Sequence, residues 1–119
     1  EEKPIDVFNN GKHTRDFTYI DDVVDGIILL INSKKRRNNF EIYNLGSSNP
    51  KKLLYFLGII ENTLRIKSKK KYIKLQKGDV EKTHSSTVKI KNLTGFKPKV
   101  NIKDGISNFI DWYKDYYNV

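Results

Sequence analysis

Arg15-Asp16-Phe17-Thr18-Tyr19-Ile20-Asp21-Asp22 places four charged and two aromatic residues at the point where one backbone periodicity gives way to another. Thr14 to Tyr19 is rich in β-branched and aromatic residues and is expected to be extended. From Asp22 to Asn32, Val23, Val24, Ile27, Ile28 and Ile31 recur at spacings of three and four, which predicts a helix with a broad buried face; Asp21 offers its N-cap. Strand into helix is the unit of an α/β fold. An arginine at that boundary can present a planar fork of donors to a phosphate, and phosphates also suit helix N-termini. The competing reading is that Arg15 pairs with Asp16 or Asp21 on the surface, the commoner situation for an isolated arginine.

Before this stretch, Pro4 to Phe8 reads as a short strand, and Asn9, Asn10 and Gly11 are residue types that tolerate positive φ in a tight turn. After it, Lys34 to Asn39 is polar throughout and reads as a loop, and Phe40 to Leu45 alternates as a strand closed by Gly46. Ser48 or Asn49 can cap a helix with Pro50 in its first turn, and Leu53, Leu57, Ile60 and Leu64 carry helical periodicity to about Ile66, with Gly58 a tolerated weakness. Lys67 to Lys71 is expected to be an exposed connection. Tyr72 to Leu75 follows as a strand, then Lys77-Gly78-Asp79 as a turn. Thr87 to Leu93 fits a short helix stopped by Thr94 and Gly95, with Pro98 beyond it. Ile102, Ile106, Phe109, Ile110 and Tyr113 share one stripe of a last helix, capped by Asn101. The expected class is α/β, one segment over residues 1–119 with small mixed sheet elements and about four helices, without repeats or a linker.

The 119 residues suit one small domain. With no cysteine, disulfides and thiolate metal sites are excluded, and His13 and His84 lie too far apart for a local metal motif. The longest apolar run, Gly26 to Ile31, is far short of the roughly 20 residues that cross a bilayer, so no membrane association is expected. Glu1-Glu2 opens the chain without a signal-peptide pattern and without methionine, which suggests a fragment. A formal charge of +9 is compatible with nucleic-acid binding. The lysines fall in short scattered clusters, Lys34 to Arg37, Lys51-Lys52 and Lys67 to Lys71, without interleaved aromatic platforms, so a solvated surface is preferred and no nucleic-acid partner is expected. Neither a GxGxxG nor a GxxxxGK phosphate loop occurs, nor a Tyr-x-x-x-Lys sequence.

Six segments, in order and spacing, carry a family resemblance. They are Ile5-Asp6-Val7-Phe8-Asn9-Asn10-Gly11-Lys12, the Arg15 to Asp22 run, Tyr43-Asn44-Leu45-Gly46, Gln76-Lys77-Gly78-Asp79-Val80, Thr94-Gly95-Phe96-Lys97-Pro98 and Trp112-Tyr113. The chain resembles the C-terminal, substrate-binding part of extended short-chain dehydrogenase/reductases, NAD-dependent epimerases and dehydratases of Rossmann type. It looks most like UDP-glucuronate 4-epimerases of capsule and lipopolysaccharide biosynthesis. The resemblance implies a cytoplasmic parent enzyme whose N-terminal lobe, absent here, holds NAD and a catalytic Tyr-x-x-x-Lys pair and forms a homodimer, with a UDP-sugar as substrate.

By that resemblance Arg15 matches the arginine that grips the UDP diphosphate, Phe8 the residue against the uridine, and Asp79 the carboxylate that holds the ribose. Each role suits its chemistry. Against these stand simple core packing for Phe8 and an Asx-type bond within its own turn for Asp79. Gln76 stands where many relatives carry a second phosphate-contacting arginine, and Ser86 where they carry an aspartate. Trp112, Tyr113, Tyr116 and Tyr117 suggest a carbohydrate platform, but at the end of an amphipathic helix they read rather as packing and rim residues. The expected function is UDP-sugar binding by a chain without epimerase activity of its own; a non-catalytic sugar-nucleotide-binding module and a basic nucleic-acid-binding protein are the alternatives.

Overall fold

β-Branched Ile5 and Val7 flank Asp6 in β1 (Ile5–Val7), which pairs in parallel with β4 (Lys70–Tyr72), Ile5 opposite Lys70 and Val7 opposite Tyr72. The computed structural model describes residues 3–34 and 40–119. At Phe8–Gly11 the chain turns with three successive positive φ angles, 51° at Asn9, 49° at Asn10 and 75° at Gly11, the left-handed geometry that asparagine and glycine tolerate. It re-emerges as β2 (Thr14–Arg15), antiparallel to β3 (Lys51–Lys52), while Thr14 also bridges Lys82 on its other side. Arg15 therefore sits on the middle of three extended segments.

Only Thr14 and Arg15 of the expected strand to Tyr19 join a ladder. Asp16 leaves it because its N–H donates to Thr83 Oγ1 at 3.1 Å and its side chain gathers neighbouring loops. α1 (Ile20–Asn32) starts two residues earlier than expected, with Tyr19 at the N-cap; Asp21 lies inside the first turn, where its charge meets the helix dipole without capping. The expected cap at Ser48 or Asn49, and with it Pro50 in the first helical turn, is corrected for a long-range reason: Lys51 and Lys52 pair with β2, so α2 (Leu53–Leu64) cannot begin before Leu53. β4 is shifted from the expected Tyr72 to Leu75 and recruits two of the lysines expected to be an exposed connection, with Lys70 held by Glu61. Phe40 to Leu45 makes no ladder among the described residues, since alternation supplies a face but not a partner strand. Residues 35–39 of the expected loop lie outside the described residues.

α3 (Val88–Thr94) ends at Gly95 with φ 77°, and α4 (Ile102–Tyr117) opens on Asn101, whose side chain accepts from Lys103 N and Asp104 N, each at 3.0 Å; both agree with the sequence. α1 packs on α3 and α2 on α4. Val7, Ile90, Phe96, Ile106 and Ile110 form the buried core. α1 turns Asp22 and Gly26 inward rather than its aliphatic stripe: Val24, Ile27, Ile28 and Ile31 are exposed. Gly26 allows close packing there: a Cβ would lie 2.3 Å from Leu45 Cδ2 and 3.1 Å from the Phe96 ring, and would displace the Leu45 side chain. Asp22 is buried and accepts from Lys99 N at 2.8 Å and Val100 N at 3.1 Å, tying α1 to the segment that enters α4.

Candidate functional site

β2 delivers Arg15 to a partly open edge against the segment that follows β4. Arg15 Nη2 donates to Asp79 Oδ1 at 2.9 Å, and Nη1 donates to the carbonyls of Glu81 at 3.0 Å and Thr14 at 3.2 Å. Of the five donors a guanidinium carries, three are engaged and two make no bond among the described residues. The ion-pair side chains remain 25% and 32% exposed, so the pair is accessible rather than sealed. The partner of Arg15 is thus neither Asp16 nor Asp21 but a carboxylate 64 positions away, itself one of the sequence-nominated site residues.

Asp79 is placed by the Lys77-Gly78 turn, with Gly78 at φ 83° and Asp79 N donating to Gln76 O at 3.3 Å. Its Oδ1 also accepts from Val80 N at 2.8 Å, so the local bond that competes with a binding role coexists with the contact to Arg15. His13 Nε2 comes within 3.2 Å of Asp79 Oδ2, an ion-pair distance, yet the angle makes no hydrogen bond and the buried nitrogen is left without one. Distance and geometry disagree here; direction decides a hydrogen bond, so the two groups are adjacent but not bonded. Phe8, half-buried, stands in the turn between β1 and β2; Gln76 is exposed before the 77–78 turn. Arg15 and Asp79 are joined directly, whereas Phe8 and Gln76 sit on flanking turns.

Asp16 serves the architecture beside that pair. Its carboxylate accepts from the Ser47 hydroxyl, Ser48 N at 3.1 Å, Asn49 N at 3.2 Å and Ser85 N at 2.8 Å. Burial raises the Asp16 carboxyl, but the Ser47 hydroxyl and the backbone N–H groups of Ser85, Asn49 and Ser48 outweigh it and hold it below its ordinary value. Gly46 is needed where these loops converge, since a Cβ would lie 2.4 Å from Ser85 Cβ and 3.1 Å from Asp16 Oδ2. Ser86, where relatives are expected to carry a carboxylate, is exposed beside this knot. Sequence reasoning missed Asp16, Asp22 and His13; the crowding of acids in one motif was the available signal, but nothing local names their partners.

Among the described residues, no group of three His, Asp or Glu side chains could hold a metal ion, and no helix is long and apolar enough to cross a membrane. The aromatic residues of α4 form a ring cluster, with Trp112 and Tyr116 stacked at 5.4 Å and Tyr113 and Tyr117 tilted at 4.5 Å, away from Arg15 along the sequence and largely exposed.

The model of the NAD dependent epimerase/dehydratase family matches residues 1–46. An uncharacterised protein of Methanocaldococcus jannaschii is 48% identical over 93% of this chain and 33% of its own length. A UDP-glucuronate 4-epimerase of Thermodesulfobacterium geofontis is 35% identical over 97% of this chain and 35% of its own. The crystal structure of UDP-glucuronic acid 4-epimerase from Bacillus cereus, in complex with UDP-glucuronic acid and NAD, superposes with a TM-score of 0.89 at 29% identity, over 98% of this chain and 37% of that one. The chain spans about a third of the length of the relatives it matches.

NAD needs its pyrophosphate cradled by a glycine turn between a strand and a helix. Here β1 runs into left-handed Asn9 and Asn10, and β3 meets α2 through Lys52 without a glycine. The described residues do not fit NAD. With the shared motifs, the mixed α/β fold and the relatives taken together, the chain belongs to the NAD-dependent epimerase/dehydratase family, the extended short-chain dehydrogenase/reductases.

Proposed function

We propose that this chain is the C-terminal, substrate-binding portion of a UDP-sugar 4-epimerase of the UDP-glucuronate type, with NAD and the catalytic Tyr-x-x-x-Lys supplied by a part of the enzyme outside these residues. The carrying observation is the Arg15–Asp79 pair. Two segments far apart in sequence bring a guanidinium and a carboxylate together at an open edge, and among the described residues the guanidinium keeps two donors free. Those donors suit a diphosphate, and the remaining lone pairs of Asp79 suit ribose hydroxyls, with Phe8 beside the uracil and exposed Gln76 at the rim. NAD, held outside these residues in the complete enzyme, would supply the redox chemistry of an epimerisation. This chain's residues would bind and orient the nucleotide so that the sugar is presented to that chemistry.

Calorimetric titration of the chain with UDP-glucuronate tests this reading. Binding that weakens at least about tenfold in Arg15→Ala is the expected result, as for loss of a charge-assisted bidentate contact; absence of binding, or an unchanged Kd in the variant, refutes it. NMR of UDP-glucuronate incubated with the chain and NAD should show no UDP-galacturonate. Product formation would place the catalytic groups within these 119 residues.

A further inference from the structure

His13 is the anomaly next to the site. It is only 4% exposed, and its Nε2 has no hydrogen bond although Asp79 Oδ2 lies 3.2 Å away. Buried polar atoms in native proteins are almost always satisfied, and one that is not calls for a state in which it is. The other oxygen of that carboxylate, Oδ1, is taken by Arg15 Nη2 and Val80 N. Asp79 thus has two donors on one oxygen and the His13 ring nitrogen beside the other.

A diphosphate taking the two unengaged donors of Arg15 draws on the same guanidinium that holds Asp79, and it brings negative charge towards the carboxylate. As Asp79 loses part of its hold on Arg15 it needs another donor, because a partly buried carboxylate short of hydrogen bonds is unfavourable. His13 Nε2–H is within reach after a small rotation of the carboxylate. We infer that His13 is a positioning residue for the diphosphate site: it captures Asp79 from behind when ligand recruits Arg15, and so keeps the carboxylate turned for the ribose and away from the phosphates. The rigidity of its seat supports this, since the His13 carbonyl accepts from Leu53 N at 2.8 Å, and Thr14 is pinned on its free side by the Thr14 N to Glu81 O and Thr83 N to Thr14 O bonds. Asp79 is the more exposed member of the pair, its side chain 32% exposed against 5% for His13.

The inference rests on the diphosphate reading of Arg15, and the experiment separates the two. UDP-glucuronate is titrated into the chain, His13→Gln and His13→Leu, with melting temperatures recorded for each, and His13 Nε2 is followed by 15N NMR in the unaltered chain. Gln offers a donor of comparable reach; Leu offers volume without one. The expected result is a Kd within about twofold of the parent for His13→Gln and at least about fivefold weaker for His13→Leu, the scale of one net hydrogen bond. The Nε2 resonance should move to a hydrogen-bonded shift at saturation. Equal Kd values for the two variants, or an Nε2 signal unmoved by saturating ligand, overturns the role of His13 while leaving Arg15 as the anion ligand. No binding by the unaltered chain overturns the site assignment and the role of His13 with it.

Discussion

Arg15 and Asp16 are neighbours in sequence and opposites in chemistry. Asp16 faces four donors from two other segments and is satisfied by protein alone. Arg15 is satisfied in part, by a carboxylate and two carbonyls at an accessible edge. The saturated group has nothing left with which to hold a ligand, so its work is to fix loops; the unsaturated one ties β2 to the segment after β4 and still has donors to spare among the described residues. Adjacent members of one motif can therefore divide between fold and function, and the count of unused hydrogen-bonding groups tells them apart.

The sharpest way to break that contrast is truncation at both positions. Asp16→Ala strips the common acceptor from the Ser47, Ser48, Asn49 and Ser85 donors, and should cost about 3 kcal/mol in urea unfolding; several of these donors can turn to water, which keeps the loss from being larger. Arg15→Ala removes a partly exposed pair and should cost less than about 1 kcal/mol while abolishing most UDP-glucuronate affinity. Equal stability losses at the two positions would end the distinction. Gly46→Ala tests the same knot from the backbone side. Its Cβ would sit 2.4 Å from Ser85 Cβ and would push Ser85 N off Asp16, so about 2 kcal/mol is expected, with Arg15 still able to bind nucleotide.

Local chemistry made the helices legible. Spacing of three and four located α1, α2 and α4, Asn101 marked the start of α4 and Gly95 the end of α3, and Asn9-Asn10-Gly11 announced the left-handed turn. What local chemistry could not supply was partners. Lys51-Lys52 has no strand preference and is extended because Thr14 and Arg15 pair with it. The Asp16 bonds span 31 to 69 positions and those of Asp22 span 77 and 78, so a carboxylate in the middle of a motif shows its residue type but not which backbone amides it will meet. Likewise periodicity showed that α1 has an aliphatic face and not what covers it; the face is exposed among the described residues, in a chain about a third as long as its relatives. The site was half legible: the residue types of Arg15 and Asp79 and their family resemblance nominated both, but their contact with each other, and His13 behind them, required the fold.

Acid supplies the mildest probe, because it weakens saturated carboxylates without changing any side chain's shape. Glu61 is the second such group. The Lys70 ammonium, then the Ser68 hydroxyl and backbone N–H, hold it down to about 2 from an ordinary 4.5, which joins the end of α2 to β4. A carboxyl whose folded pKa lies below its unfolded value contributes stability that is present above the unfolded value and lost as pH falls through the folded one. For Glu61 that window runs from about 4.5 down to about 2, and Asp16, lowered from 3.8, contributes in the same direction. The urea midpoint should therefore decline between about pH 5 and pH 2, and Glu61→Gln, which cannot titrate, should flatten part of that decline while lowering the midpoint slightly at pH 7. An unchanged slope in Glu61→Gln would mean that the Lys70 and Ser68 contacts do not persist in solution, and would leave Asp16 as the chief acid-sensitive fastening.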